Sequence, residues 1–137
     1  MVTITHSVEE TRELGARFAS EVKPGDVYAL EGDLGAGKTE FVRGFSEALG
    51  ADAPVKSPSF SIINIYSTSK FPVYHFDFYR LNDPSELSEI GFYEYLSSDG
   101  VCLIEWGTMF PDVLPENTRV IRFEDEGGDK RRIEYPQ

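Results

Sequence analysis

Apolar residues recur along the chain with two different periods, and the points where the period changes mark the elements. After a short apolar lead (Val2, Ile4), Ser7 and Glu10 stand at capping-box spacing and Leu14, Phe18 and Val22 follow at four-residue intervals. This predicts a helix with one buried stripe. Pro24-Gly25 then turns the chain into DVYALEG, Asp26 to Gly32, whose continuous apolar run suits an interior strand. From Lys38 to Leu49 the apolar positions Phe41, Val42, Phe45, Ala48 and Leu49 return every three or four residues, with Gly50 at the expected stop. The order is strand, glycine loop, helix.

Further on, SPSF opens the run FSIINIYS, and a polar turn with Ser69 and Pro72 separates it from VYHFDFYR. Two strands joined as a hairpin are the economical reading. Extension from Val73 to Tyr79 places His75, Asp77 and Tyr79 on one face and Tyr74, Phe76 and Phe78 on the other, a polar face against a core face. Asp83-Pro84 with Glu86 signals a helix start, carried on by Leu87, Ile90, Tyr95 and Leu96 with a break at Gly91. GVCLIEW predicts another buried strand, and RVIRF and RRIEY flank the turn EDEGGDK as a closing hairpin. No repeat or linker interrupts the pattern, so one domain over residues 1–137 is expected.

Composition narrows the picture. Ten Phe, seven Tyr and one Trp within 40% hydrophobic residues supply a core and exclude global disorder. The single cysteine, Cys102, lies in an apolar run, so it forms no disulfide within the chain and reads as a packed thiol. Neither a basic leader nor an apolar run of membrane-spanning length is present, and a cytoplasmic protein without membrane contact is expected. With 13 basic against 24 acidic side chains the net charge is −11, which argues against direct, tight binding of RNA or DNA.

The glycine stretch changes what this acidity means. Gly32, Asp33, Leu34, Gly35, Ala36, Gly37, Lys38 and Thr39 satisfy G-x-x-x-x-G-K-[ST] between a predicted strand and a predicted helix. Glycines allow positive φ, so consecutive N–H groups can curl around an oxyanion while the helix that follows aims its positive end at the same point. Lys38 adds a mobile charge for the outer phosphates, and the Thr39 hydroxyl suits Mg²⁺. Local dipoles, one lysine and a divalent ion can therefore hold a nucleotide in a negatively charged protein, because fields are screened beyond roughly 8–10 Å.

Such chemistry needs an acid near the metal. Glu105 ends the buried run VCLIE and reads as a metal ligand or as half of a structural ion pair. Asp77, between Phe76 and Phe78, reads as a metal ligand through water or as the group that positions attacking water. Ser57 and Ser59 either offer a hydroxyl to the terminal phosphate or simply form the turn into a strand. His75 reads equally as a core or a functional histidine, Arg80 as a phosphate or carboxylate partner, and Trp106 as core or as a nucleotide or partner contact. The chain lacks the Asn-Lys-x-Asp base reader of GTPases, so ATP is the expected nucleotide.

Taken together, GDLGAGKTEFVRG, VKSPSFSI, YHFDFYRL, DPSELSEIG and CLIEW resemble, in order and spacing from Leu14 to Trp106, the bacterial TsaE (YjeE) family. The resemblance implies an α/β, P-loop NTPase-like three-layer sandwich with a partly mixed sheet. It also implies ATP and Mg²⁺ binding, weak intrinsic hydrolysis and docking on the TsaB–TsaD complex, with tRNA met only through those partners. On that basis the loop is Gly32 to Thr39, the metal ligands are Thr39 and Glu105, and Asp77 is the second essential acid. The family commonly has Ser-Pro-Thr where this chain has Ser57-Pro58-Ser59, which keeps the hydroxyl without the methyl that restrains it. The P-loop alone would also admit a stand-alone small-molecule kinase, though 137 residues leave little room for a lid and an acceptor pocket, or a subunit whose whole function is nucleotide-dependent association.

Overall fold

The computed structural model describes residues 1–33, 35–52, 54–55 and 62–136, so the expectations for Leu34, Ser57 and Ser59 lie outside the described residues. Its centre is set by two short strands that have no polar face. Strands β2 (Val27–Glu31) and β5 (Val101–Glu105) are buried at every position. They pair in parallel, as strands covered on both sides do. β6 (Arg119–Asp125) and β4 (Val73–Asp77) flank them, also in parallel. Antiparallel pairing extends the sheet with β3 (Ile63–Tyr66) on one side, and with β7 (Arg131–Glu134) and then β1 (Val2–Thr5) on the other. Among the described residues the order is β1-β7-β6-β2-β5-β4-β3.

Helices α1 (Val8–Ala19) and α2 (Lys38–Ala48) cover one face. There Leu14, Phe41, Val42 and Phe45 pack with Tyr28, Leu30, Leu103, Ile121 and Ile133. The other face is closed by α3 (Glu86–Glu89), α4 (Phe92–Leu96) and the chain after β5, with Phe78, Leu87 and Phe92 packed on Phe76, Cys102 and Ile104. The expected α/β three-layer arrangement with a mixed sheet is what the chain forms. No helix among the described residues is long and apolar enough to cross a membrane.

Local chemistry explains the elements and the departures from expectation. The Ser7 side chain accepts from the Glu10 amide while the Glu10 carboxylate accepts from the His6 amide, fixing the start of α1. That helix stops at Ala19, earlier than the stripe through Val22 implied. The Ser20 hydroxyl bonds Arg17 O and tightens the last turn, leaving Val22 to pack on the core from outside the helix. The apolar lead is a strand, β1. Extension from Val73 ends at Asp77, because its carboxylate Oδ1 accepts from the Tyr79 amide and turns Phe78–Arg80 into a 3-10 helix. Tyr79 therefore leaves the face of His75 and Asp77 and stands 65% exposed. Nor does that face meet solvent at His75, which has no exposed surface and follows Val73, packed in the α1–α2 core. Gly91, at φ 79°, separates α3 from α4 at the expected break.

Candidate nucleotide site

The carboxyl ends of the parallel strands converge where β2 runs into the glycine loop, and the ends of α/β strands are where ligands meet such sheets. Gly32, Gly35 and Gly37 all have positive φ (152°, 84° and 101°). At Gly32 the space matters as much as the angle, since an added Cβ would stand 2.6 Å from Phe123 O. The loop delivers Lys38 as the first residue of α2 and half-buried Thr39 as the second. The first amides of a helix have no intrahelical acceptor, so they face the loop as donors.

Lys38 is 4% exposed. Its Nζ donates to Gly32 O at 2.5 Å, lies 3.6 Å from Glu105 Oε1 and sits 4.4 Å from the centre of the Trp106 ring. Trp106 holds that position from a left-handed conformation, φ 60°, an uncommon state for a bulky residue. Two residues on, Thr108 donates through its hydroxyl to Glu31 Oε1 at 2.5 Å and through its amide to Glu31 Oε2 at 3.3 Å. The buried Glu31 carboxylate thus pins the turn that carries Trp106.

Glu105 and Asp77 are paired positions at the tips of β5 and β4. Burial alone would push the Glu105 carboxyl up. The hydrogen bond from His75 Nε2 at 2.6 Å and the charges of His75 and Lys38 outweigh it and hold the group below its ordinary value. Asp77 moves the other way. Burial raises it and the nearby Glu105 charge adds to the rise, against the Tyr79 amide, Lys38 and His75. Two neighbouring carboxyls with opposite shifts suit different tasks, one as a standing negative charge and the other as a group able to take a proton.

Sequence reasoning thus named Lys38, Asp77 and Glu105, and the fold brings them together beside Thr39 and the loop. Arg80 is exposed and makes no ion pair shorter than 4 Å among the described residues. One residue at the site escaped attention. Arg131 of β7 donates from Nη2 to Gly35 O at 3.0 Å, and its stem lies 3.4 Å from where a Cβ of Gly37 would be. Its buried Nε has no partner among the described residues. The signal was present, since Arg131 alternates with fully buried Ile133 and so shares the face of α1 and α2.

Proteins that grip nucleotides with backbone amides share this layout, and the fold and loop place the chain in the class of P-loop α/β proteins. Comparison narrows the class. A family model described as "Threonylcarbamoyl adenosine biosynthesis protein TsaE" matches residues 5–133. A relative from Bacillus subtilis (strain 168), named tRNA threonylcarbamoyladenosine biosynthesis protein TsaE, is 44% identical over 96% of this chain and 82% of its own length. Another of that name, from Rickettsia felis, is 35% identical over 98% of this chain and 85% of its own. The crystal structure of Bacillus subtilis YdiB superposes with a TM-score of 0.80 at 38% identity, covering 98% of this chain and 83% of that one. The chain belongs to the TsaE family.

Proposed function

We propose that the chain is a magnesium-dependent ATPase that serves the threonylcarbamoyl modification of tRNA adenosine in the cytoplasm, slow alone and accelerated on the TsaB–TsaD complex. The observation that carries this reading is the convergence of Lys38, Asp77 and Glu105 on a glycine loop in a member of the TsaE family.

The residues present fit both groups. The loop opens onto free space at Gly35, where an added Cβ would meet nothing within 4 Å, and the buried Arg131 Nε beside the loop is a donor in want of an acceptor. Among the described residues no three His, Cys, Asp or Glu side chains form a metal cage. Mg²⁺ does not require one, being held by one or two carboxylates, a hydroxyl, phosphates and water. Thr39, Glu105 and, through water, Asp77 are the residues that would hold it, and the bound ion would neutralise charge on the phosphates.

The chain's own part is positioning and charge. Loop amides and the start of α2 bind the phosphate oxygens, and Lys38 exchanges Gly32 O and Glu105 for the outer phosphates. Asp77, whose affinity for a proton is raised, orients water in line with the terminal phosphorus and accepts its proton, giving ADP and inorganic phosphate. With RNA held by the partners, the net charge of −11 is no obstacle.

The test is ATP turnover by the purified chain with and without TsaB and TsaD. Slow turnover that rises on adding both, with phosphate released only as the inorganic ion, is expected. Unchanged turnover refutes the accessory role, and phosphate on a metabolite acceptor would make the chain a kinase.

A further inference from the structure

His75 lies wholly inside the protein, on the face covered by α1 and α2, where its neighbours Val73 and Leu103 are apolar and fully buried. If packing were all that this position required, another aliphatic side chain would serve with no polar atom to satisfy. Instead both ring nitrogens are engaged. Nε2 lies 2.6 Å from Glu105 Oε2, and Nδ1 lies 3.0 Å from the hydroxyl of buried Tyr66. The three residues come from three adjacent strands, β3, β4 and β5, each supplying one link. An ionised carboxylate only accepts, so Nε2 donates to Glu105, while Nδ1 and the Tyr66 hydroxyl share the second link. Glu105 is thereby divided: Oε2 is tied to His75, and Oε1 faces Lys38.

We propose that Tyr66 and His75 are positioning residues, a buried hydrogen-bonded chain that fixes Glu105 by one oxygen and keeps the other presented to the magnesium-nucleotide site. This rests on the ATP reading above and deepens it. Groups behind a ligating carboxylate set its orientation, and their loss lowers metal affinity by about 10- to 100-fold. The chain also ties the site to the edge of the sheet, since Tyr66 ends strand β3.

Two substitutions of nearly equal polarity separate positioning from packing. In His75→Gln the amide nitrogen falls near the place of Nε2 and can still donate to Glu105. In His75→Asn the shorter amide reaches only toward Tyr66. Calorimetry with a non-hydrolysable ATP analogue, in Mg²⁺ and in EDTA, measures the strengthening of binding due to the metal. We expect His75→Asn to lose about 10- to 100-fold of that strengthening with unchanged affinity in EDTA, and His75→Gln to keep most of it. Equal strengthening in all three proteins, or equal loss in both variants, overturns the proposal.

A second measurement needs neither nucleotide nor variant. Long-range ¹H–¹⁵N correlation on the wild-type protein should show His75 carrying a proton at Nε2; a ring bare at Nε2 overturns the bond to Glu105. Wild-type protein that binds no analogue in either buffer would instead mark failure of the ATP reading, with the Nε2 proton still deciding the relay.

Discussion

Replacing Gly44 by alanine sets two effects of opposite sign against each other. Gly44 is buried within α2, where alanine in place of glycine improves helix propensity by about 1 kcal/mol. Its missing side chain, however, is what lets α2 lie against α1. A Cβ there would meet Arg12 Cα at 2.6 Å and come closer still to Arg12 O, and backbone cannot rotate away. Gly15 of α1 is the reciprocal contact, its added Cβ falling on Phe41 O. Restoring ordinary contact requires the helices to part by roughly an ångström, a gap that forfeits a quarter to a half of each dispersion contact along the seam. Overpacking costs about 1–3 kcal/mol, and an obstacle made of backbone puts Gly44→Ala at the upper end. The steric term wins, with a net loss on the order of 2 kcal/mol. Urea unfolding followed by far-UV circular dichroism measures it. Gly15→Ala should cost a similar amount, and the double variant less than the sum, since one separation accommodates both methyl groups. Because α2 begins at Lys38, weaker ATP binding should accompany the loss. Stabilisation by about 1 kcal/mol, the value of propensity alone, would refute the reasoning.

Other expectations follow from the site. Lys38→Ala should abolish measurable binding of an ATP analogue in calorimetry, and affinity equal to wild type would contradict the loop assignment. Asp77→Asn should slow partner-stimulated hydrolysis by ~10²–10⁴-fold while leaving analogue binding in place. The same change should stabilise the protein at neutral pH. The native Asp77 carboxyl is raised above 3.8, so the native state holds its proton more tightly than the unfolded chain does. Stability therefore falls as pH rises through that window, and the loss persists at pH 7, where asparagine removes it. Melting curves should place the variant above wild type at pH 7 and level with it below pH 3.8. Arg131→Ala should weaken analogue binding, since it removes a wall of the cradle along with the bond to Gly35 O. Burial pushes the Cys102 thiol up to about 12, so thiol reagents at pH 8 should label it only after unfolding.

What the sequence disclosed follows from the range of each interaction. The runs in β2 and β5 were legible because strands buried on both faces admit no polar residue before their last, and the glycine loop because its chemistry is confined to eight consecutive positions. Asp77 and Glu105 were legible as candidate acids because each stands among apolar residues, where a carboxylate needs a partner, but their pairing at the tips of β4 and β5 was not. β1 was not, since the run VTIT becomes a strand only by pairing with residues more than a hundred positions away. His75 stayed ambiguous for a similar reason: its partners Tyr66 and Glu105 lie on neighbouring strands, and register is a tertiary fact. Tyr79 was misplaced because period two assumes that extension continues, whereas a single carboxylate-to-amide bond ended it.

Arg131 closes the cradle from the last strand of the sheet, although the loop it braces is made a hundred residues earlier. During synthesis, then, the glycine loop stands without this brace until β7 has left the ribosome. A nascent chain halted before β7 would carry every residue of the glycine motif and still lack its lateral support, so the shape of the loop waits on a strand far downstream of it.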